Sequence, residues 1–341
     1  PLAVFYGWIT AFRNFLYNKS ILKATRFRTP TIVVGNLSVG GTGKTPQIEY
    51  LIRLLYKNYR TAVLSRGYKR RSKGFQLAKE GHNAEFLGDE PFQYFSKFPE
   101  VTVAVDADRK NGIEQLMQLD VKPEVILLDD AFQHRKIVGG LNILLTAYDD
   151  LYVHDFMLPT GNLRENRSGA KRAQIILVTK CPEELSESSI NSICDVLQIR
   201  DDQHVFFTRI SYNSMLSGPN KLEVNSLAKT EVLLVTGIAN PKPLTDFLEK
   251  RNIRFQHMRF PDHHAFRKKD ISEINAVFNS LNTNNKIILT TEKDYVRIFG
   301  KLKKLYFLAI RTSFIQGQEA FDNLIKNYVG ESSGNGSVSK K

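Results

Sequence analysis

The run Gly40-Gly41-Thr42-Gly43-Lys44-Thr45 lies directly between a short β-branched stretch, Thr31 to Gly35, and a segment whose apolar residues Ile48, Leu51, Ile52 and Leu55 fall at helical spacing. A strand that feeds a glycine turn opening a helix converges backbone N–H groups on one point, and the helix N-terminus adds its dipole. Such a turn binds phosphate, with Lys44 reaching the β- and γ-phosphates and the Thr45 hydroxyl reaching magnesium. Ser38 stands where the standard pattern has its first glycine, so the match rests on the strand, the turn and the helix coinciding.

Buried strands are expected to continue at Thr61–Ser65, Val101–Val105, Val125–Leu128, Ile143–Leu145 and Ile175–Val178, with helical segments between them. This alternation predicts an α/β fold, a P-loop NTPase-like mostly parallel sheet covered on both faces. A second, smaller α/β unit is expected from the strand-like runs at Val232, Ile253, Ile287 and Leu305, joined to the first by a β linker. The expected boundaries are an N-terminal helix region over 1–30, a P-loop domain over 31–202, a linker over 203–225, a second domain over 226–329 and a flexible tail over 330–341. The length of 341 residues suits two such cores.

The strand Val125–Leu128 ends in Asp129 and Asp130, an acidic strand end of the kind that holds magnesium beside a P-loop. Which of the two is the direct ligand stays open. Guanine reading would require an acid where Val178-Thr179-Lys180-Cys181-Pro182 has its proline, so ATP is favoured over GTP. Four further polar clusters are candidates for the phosphate acceptor: Ser65-Arg66-Gly67-Tyr68, Gly88-Asp89-Glu90-Pro91 at a helix start, Leu158–Glu165 with Arg164, and Asp262-His263-His264. A histidine beside a carboxylate suits a proton relay for a hydroxyl nucleophile, although zinc ligation by the same histidines is the competing reading.

The formal net charge of +13 points to an anionic partner, substrate or surface. Residues 1–30 carry Arg13, Lys19, Lys23, Arg26 and Arg28 without an acid, while Phe5, Trp8, Ile9, Phe12, Phe15 and Leu16 recur at helical spacing. This reads as a basic amphipathic helix lying in a bilayer interface, or else as a first helix packed on the protein's own core with a wet basic face. Arg13 interrupts the apolar residues too early for a spanning helix. Cys181 and Cys194 are expected to be free thiols, consistent with a reducing compartment. No recognisable nucleic-acid-binding module is present, so no nucleic acid is expected as partner, and no obligatory protein partner is inferred.

Taken in order, VGNLSVGGTGKTP at 34–46, SRGYKR at 65–70, GDEP at 88–91, DDAFQHR at 129–135, LPTGNLRE at 158–165, TGIANP at 236–241, FPDHH at 260–264 and TEKD at 291–294 resemble the tetraacyldisaccharide 4'-kinase family. The resemblance runs over residues 1 to about 325 and includes the N-terminal helix. It implies transfer of the ATP γ-phosphate, with Mg2+, to the 4'-hydroxyl of a lipid disaccharide 1-phosphate. The expected location is the cytoplasmic face of the bacterial inner membrane, where the protein is peripheral or monotopic on an anionic surface. It further implies Asp89 as base, assisted by His263 or His264. Beside the resemblance, Arg66 and Arg164 are candidates for the acceptor's phosphate or the transferring group, and Tyr68 and Glu90 are expected at the substrate with them. Two positions depart from the family pattern: Lys69 and Ala131 stand where glycine is usual.

Two other functions fit the P-loop alone. One is a soluble kinase for a small phosphorylated metabolite. The other is a P-loop ATPase switch, although a partitioning-type ATPase would carry a second lysine where this chain has Val39.

Overall fold

A computed structural model describes residues 2–262, 264–298 and 300–334. The chain forms α1 (Leu2–Asn18), β1 (Thr31–Asn36), α2 (Lys44–Leu55), β2 (Thr61–Ser65), β3 (Gln76–Leu77), α3 (Ala84–Leu87), α4 (Asp89–Lys97), β4 (Thr102–Val105) and α5 (Arg109–Leu116). These are followed by β5 (Val125–Asp129), β6 (Leu141–Ala147), β7 (Ile175–Thr179), α6 (Glu187–Leu197), β8 (His204–Ser217), β9 (Leu222–Glu223), β10 (Glu231–Thr236) and α7 (Lys242–Glu249). The remaining elements are β11 (Phe255–Arg259), α8 (Lys268–Ser280), β12 (Lys286–Thr291), α9 (Glu292–Ile298), β13 (Leu305–Phe314) and α10 (Gln318–Gly334). Two compact units result: one takes in the chain up to Ile210 and resumes at Thr312, and the other is Ser211–Arg311.

In the larger unit the strands run β8-β7-β6-β1-β5-β2-β4-β3. Neighbours are parallel except β3, which runs antiparallel to β4. Because both faces are covered, the strands read as continuous apolar runs whose side chains alternate between two cores. Ile32 and Val34 point to the face covered by Ile48, Leu51, Ile52 and Leu55 of α2. Val33 points to the other face, with Ile113 and Leu116 of α5 and Ile193 of α6. Register then does the positioning: β5 pairs β1 with Asp129 opposite Val34, so the acidic strand end stands beside the entry to the glycine turn.

The smaller unit has β10 between β11 and β12, with β13 parallel to β12. Leu244 and Leu248 of α7 cover one face, and Ile274 and Phe278 of α8 cover the other.

The expected boundaries need correction. The second unit begins at Ser211, within the expected linker, and ends at Arg311 instead of residue 329. The cause is α10: its Phe321, Ile325 and Val329 are buried in the P-loop unit's core. Phe321 meets Phe314 and Phe206 at ring-centroid separations of 4.8 and 5.4 Å, and Tyr50 donates its hydroxyl proton to Asp322 at 2.7 Å. α10 also continues past Gly330 to Gly334, so the expected tail starts too early; residues 335–341 lie outside the described residues. Cys181 and Cys194 are free.

α1 has no buried residue, which removes the reading of a first helix packed in the core. It lies on the P-loop unit through polar groups instead. Tyr6 donates its hydroxyl proton to the Arg164 carbonyl at 3.1 Å, Arg13 donates to the Gln133 carbonyl at 2.8 Å, and Asn14 donates to Glu165 at 3.1 Å. The opposite stripe leaves Leu2, Phe5, Trp8, Ile9, Phe12 and Phe15 exposed, Trp8 by 75%. Among the described residues no helix is long and apolar enough to cross a membrane.

Candidate active site

Gly43 caps α2 in the left-handed region at φ 85°, and Gly40 holds φ 120°, conformations that side chains resist. The turn therefore closes tightly and delivers Lys44 as the first residue of α2. The Lys44 ammonium donates to Asn36 Oδ1 at 3.1 Å and lies 3.6 Å from Asp130 Oδ1. Arg164 completes the group. Its guanidinium is bidentate on Asp130 at 2.8 and 3.1 Å and also donates to the Asn36 side chain.

The chain brings Arg164 there by folding residues 157–165 back along the P-loop entrance. Arg164 N–H donates to the Leu37 carbonyl at 2.7 Å, and Val39 N–H to the Asn162 carbonyl at 2.8 Å. Arg164, a candidate for the acceptor's phosphate or the transferring group, is held here on Asp130 and Asn36.

The two aspartates differ sharply. Burial alone would raise the Asp130 carboxyl, but Lys44, Arg164 and Arg109 outweigh it and hold it well below the usual carboxylate range. Asp129 is pushed up to about 6, first by burial and then by the charges of Asp130 and Glu90, against the opposing pull of Lys44 and a 3.0 Å hydrogen bond from Ser65. Under both sits Arg109, 2% exposed, donating to the Asp129 carbonyl at 3.0 Å and the Asp106 carbonyl at 2.9 Å. Burial lowers its pKa to about 10, still far above neutrality, so it remains a cation beneath the acidic pair.

Glu90 and Asp89 open α4, where the helix dipole favours acids. Two glycines seat this corner against the Arg66 loop: a Cβ on Gly88 would come 3.0 Å from Gly67 Cα, and one on Gly67 would come 2.7 Å from the Leu87 carbonyl oxygen. Both hold positive φ, 98° and 68°. Arg66 and Tyr68 are consequently exposed on the loop that abuts Asp89 and Glu90. The buried Tyr94 hydroxyl is raised well above its ordinary value, by burial first and then by the charge of Asp129.

Lys69 adopts φ 58° in the same loop, a conformation that glycine takes without strain. Lys69→Gly is expected to stabilise the protein by about 0.5–1 kcal/mol, the left-handed penalty less the entropy glycine gains when unfolded. A urea midpoint that falls instead would contradict this.

In the smaller unit, His264 shares a 3.0 Å hydrogen bond with Asp270 and stacks on Phe260. His263 lies outside the described residues. Gly237 fits between the neighbouring loops, where a Cβ would meet Asp294 Oδ1 at 3.1 Å and His264 Cβ at 3.4 Å. Buried Asp294 accepts from Gly237 N–H at 2.8 Å, so the TEKD segment holds the loop against which His264 rests. Among the described residues no group of three or more His, Cys, Asp or Glu is placed to hold a metal. Magnesium needs less, since one or two carboxylates with phosphate and water suffice. The hard oxygens of Thr45, Asp129 and Asp130 fit it, and a divalent cation would offset the burial that, with the charges of Asp130 and Glu90, raises Asp129.

Sequence reasoning passed over Asn36 and Arg109, and it named Ser65 only as part of the Arg66 cluster, without its contact to Asp129. A polar residue ending an otherwise apolar strand, as Asn36 does in TIVVGN, was the available signal.

The phosphate turn, the acidic strand end beside it and the parallel sheet carrying both define a P-loop NTPase-like enzyme. Within that class the chain belongs to the tetraacyldisaccharide-1-P 4'-kinase (LpxK) family, whose match covers residues 1–330. It is therefore a kinase of that family. It is 54% identical to the tetraacyldisaccharide 4'-kinase of Flavobacterium johnsoniae over 97% of this chain and 96% of that one. It is 42% identical to the enzyme of the same name from Bacteroides thetaiotaomicron over 100% and 95%. The crystal structure of Aquifex aeolicus LpxK in complex with ATP matches with a TM-score of 0.78 at 30% identity, covering 96% of this chain and 98% of that one.

Proposed function

We propose that the chain transfers the γ-phosphate of ATP to the 4'-hydroxyl of a tetraacylated glucosamine disaccharide 1-phosphate, in lipid A biosynthesis, at the cytoplasmic face of the bacterial inner membrane. What supports this reading is the glycine turn that delivers the Lys44 ammonium to within 3.6 Å of Asp130 at the acidic strand end, in a chain that belongs to this kinase family.

Lys44 and the amides of Gly40–Thr45 hold the phosphates, while Arg164 fixes Asp130 beside Lys44. Thr45 and the Asp129/Asp130 pair would hold magnesium. When bound, magnesium neutralises phosphate charge and orients the terminal group. Asp89 accepts the proton of the sugar hydroxyl as its oxygen bonds to phosphorus and the bond to ADP breaks. Positioning supplies much of the rate, so an ordinary carboxylate suffices. A histidine of the DHH motif, His263 or His264, is the group expected to assist that base. Arg66, Tyr68 and Glu90 contact the acceptor head group.

The exposed apolar stripe of α1 lies in the membrane interface, and the basic residues that follow it meet the anionic surface. Purified protein with magnesium, ATP and the lipid disaccharide is expected to yield a product whose new phosphate maps to the 4' position. Anionic vesicles should stimulate the reaction, and the double variant Trp8→Glu, Phe12→Glu should lose vesicle binding in sedimentation along with that stimulation. ATP hydrolysis without acceptor phosphorylation would favour the switch reading; vesicle-independent activity unchanged in the variant would favour a soluble metabolite kinase.

A further inference from the structure

We propose that Lys180 is a second cation for the nucleotide's phosphates, delivered to the glycine turn by the end of β7. The inference rests on the reading of Gly40–Thr45 as the triphosphate site.

Three observations converge on this residue. The end of β7 is pinned to the turn, because Thr179 donates its hydroxyl proton to the Thr42 carbonyl at 2.8 Å, and a Cβ on Gly43 would lie 3.8 Å from Thr179 Cβ. Beyond Thr179 the chain turns through Lys180 at φ 58° and is caught again by Cys181, whose N–H donates to the Thr208 carbonyl at 3.0 Å. Lys180 is thus held in a conformation that costs a side-chain-bearing residue about 1–2 kcal/mol, as occurs where a side chain must be aimed. Its ammonium comes to the turn itself: a Cβ on Gly41 would lie 4.0 Å from Lys180 Nζ, the nearest atom it would meet.

The charges around Lys180 fit a polyanion. Burial and the like charge of Lys44 disfavour its ammonium form, and Asp149 and Asp150 offset them only in part. Two ammonium groups facing one glycine turn repel each other, and a polyphosphate between them turns that repulsion into attraction on both sides. No hydrogen bond or ion pair to a described residue occupies Lys180. The sequence also limits what Lys180 reads. Thr179-Lys180-Cys181-Pro182 keeps the lysine of a base-reading segment but replaces its acid with Pro182, so the contact serves phosphate and not base identity. The chain thereby obtains from β7 a second lysine at a turn whose own entrance carries Val39.

Equilibrium binding of ATP, GTP and inorganic tripolyphosphate, with magnesium, to the full chain and to Lys180→Gln, Lys180→Arg and Lys44→Ala tests the proposal. Loss of one charge-assisted contact should weaken all three ligands about tenfold in Lys180→Gln, and Lys180→Arg should stay within about threefold of the parent. Thermal midpoints without ligand should agree between parent and both Lys180 variants, since the left-handed residue keeps a comparable side chain. Unchanged ATP affinity in Lys180→Gln while Lys44→Ala loses affinity overturns the role of Lys180 and leaves the phosphate turn intact. A loss for ATP but not for tripolyphosphate overturns it in favour of a contact to the base. Parent-like binding by Lys44→Ala would instead overturn the triphosphate site, and the inference about Lys180 with it.

Discussion

Asp89→Asn is expected to lower turnover about a thousandfold while leaving ATP affinity within about twofold of the parent, the range set by general-base removal. The reason is positional. Asp89 is the first residue of α4, and the loop before it is locked by Gly88 against Gly67, so the amide of asparagine would occupy the same place without accepting a proton. The phosphate turn is built from other elements, β1, α2 and the strand end at Asp129, and does not depend on that carboxylate. Lys44→Ala should behave differently, because it removes the ammonium shared by Asn36 and Asp130 and so disturbs ATP binding as well as turnover. Measuring ATP affinity by titration and transfer by product formation separates the two. Near-normal turnover in Asp89→Asn would end its assignment as base. A parallel loss of ATP affinity would instead make Asp89 part of the nucleotide site.

The parts of this arrangement that are local in the chain are legible in the sequence. Strand, glycine turn and helix appear in the order in which they act, and GDEP announces a helix start by its acids and its proline. Contacts that require a distant segment to return are not legible. Apolar residues in 318–329 predict burial but not which core receives them, and α10 returns to the P-loop unit. Arg109 sits in Asp106-Ala107-Asp108-Arg109-Lys110, a stretch that reads as a solvated loop, yet the β5 register places backbone carbonyls where only a buried guanidinium satisfies them. The contact of Arg164 with Asp130 was not legible, since the two become neighbours only when residues 157–165 pair with the P-loop entrance. α1 was legible on its apolar face alone. Its inner stripe of Tyr6, Asn14 and Arg13 has no periodic signature, because those contacts depend on carbonyls and carboxylates supplied by Gln133, Arg164 and Glu165.

Asp129→Asn is expected to make the nucleotide-free protein more stable near pH 8 while abolishing transfer. Burial, then Asp130 and Glu90, raise this carboxyl from 3.8 to about 6. A raised carboxyl favours the fold only while it is protonated. Its contribution is therefore full below about pH 4 and declines as the unfolded chain ionises first. Above about pH 6, where the folded state also ionises, the penalty is constant at about 2–3 kcal/mol by the usual conversion. Asparagine stays neutral and can keep the contact with Ser65, so the variant's advantage should be near zero at pH 4 and largest at pH 8. Asp130 has the opposite sign: its depressed pKa stabilises the fold above the ordinary carboxylate range and fails as pH falls, in parent and variant alike. The difference between urea midpoints at pH 4, 6 and 8, taken in chelator, isolates Asp129. A variant less stable at pH 8, or a difference independent of pH, would show that the buried carboxylate is not under electrostatic strain. A gap that closes when magnesium and ATP are added to both proteins would show what the strain is for: the same buried negative charge that weakens the free fold draws in the cation on which phosphoryl transfer depends.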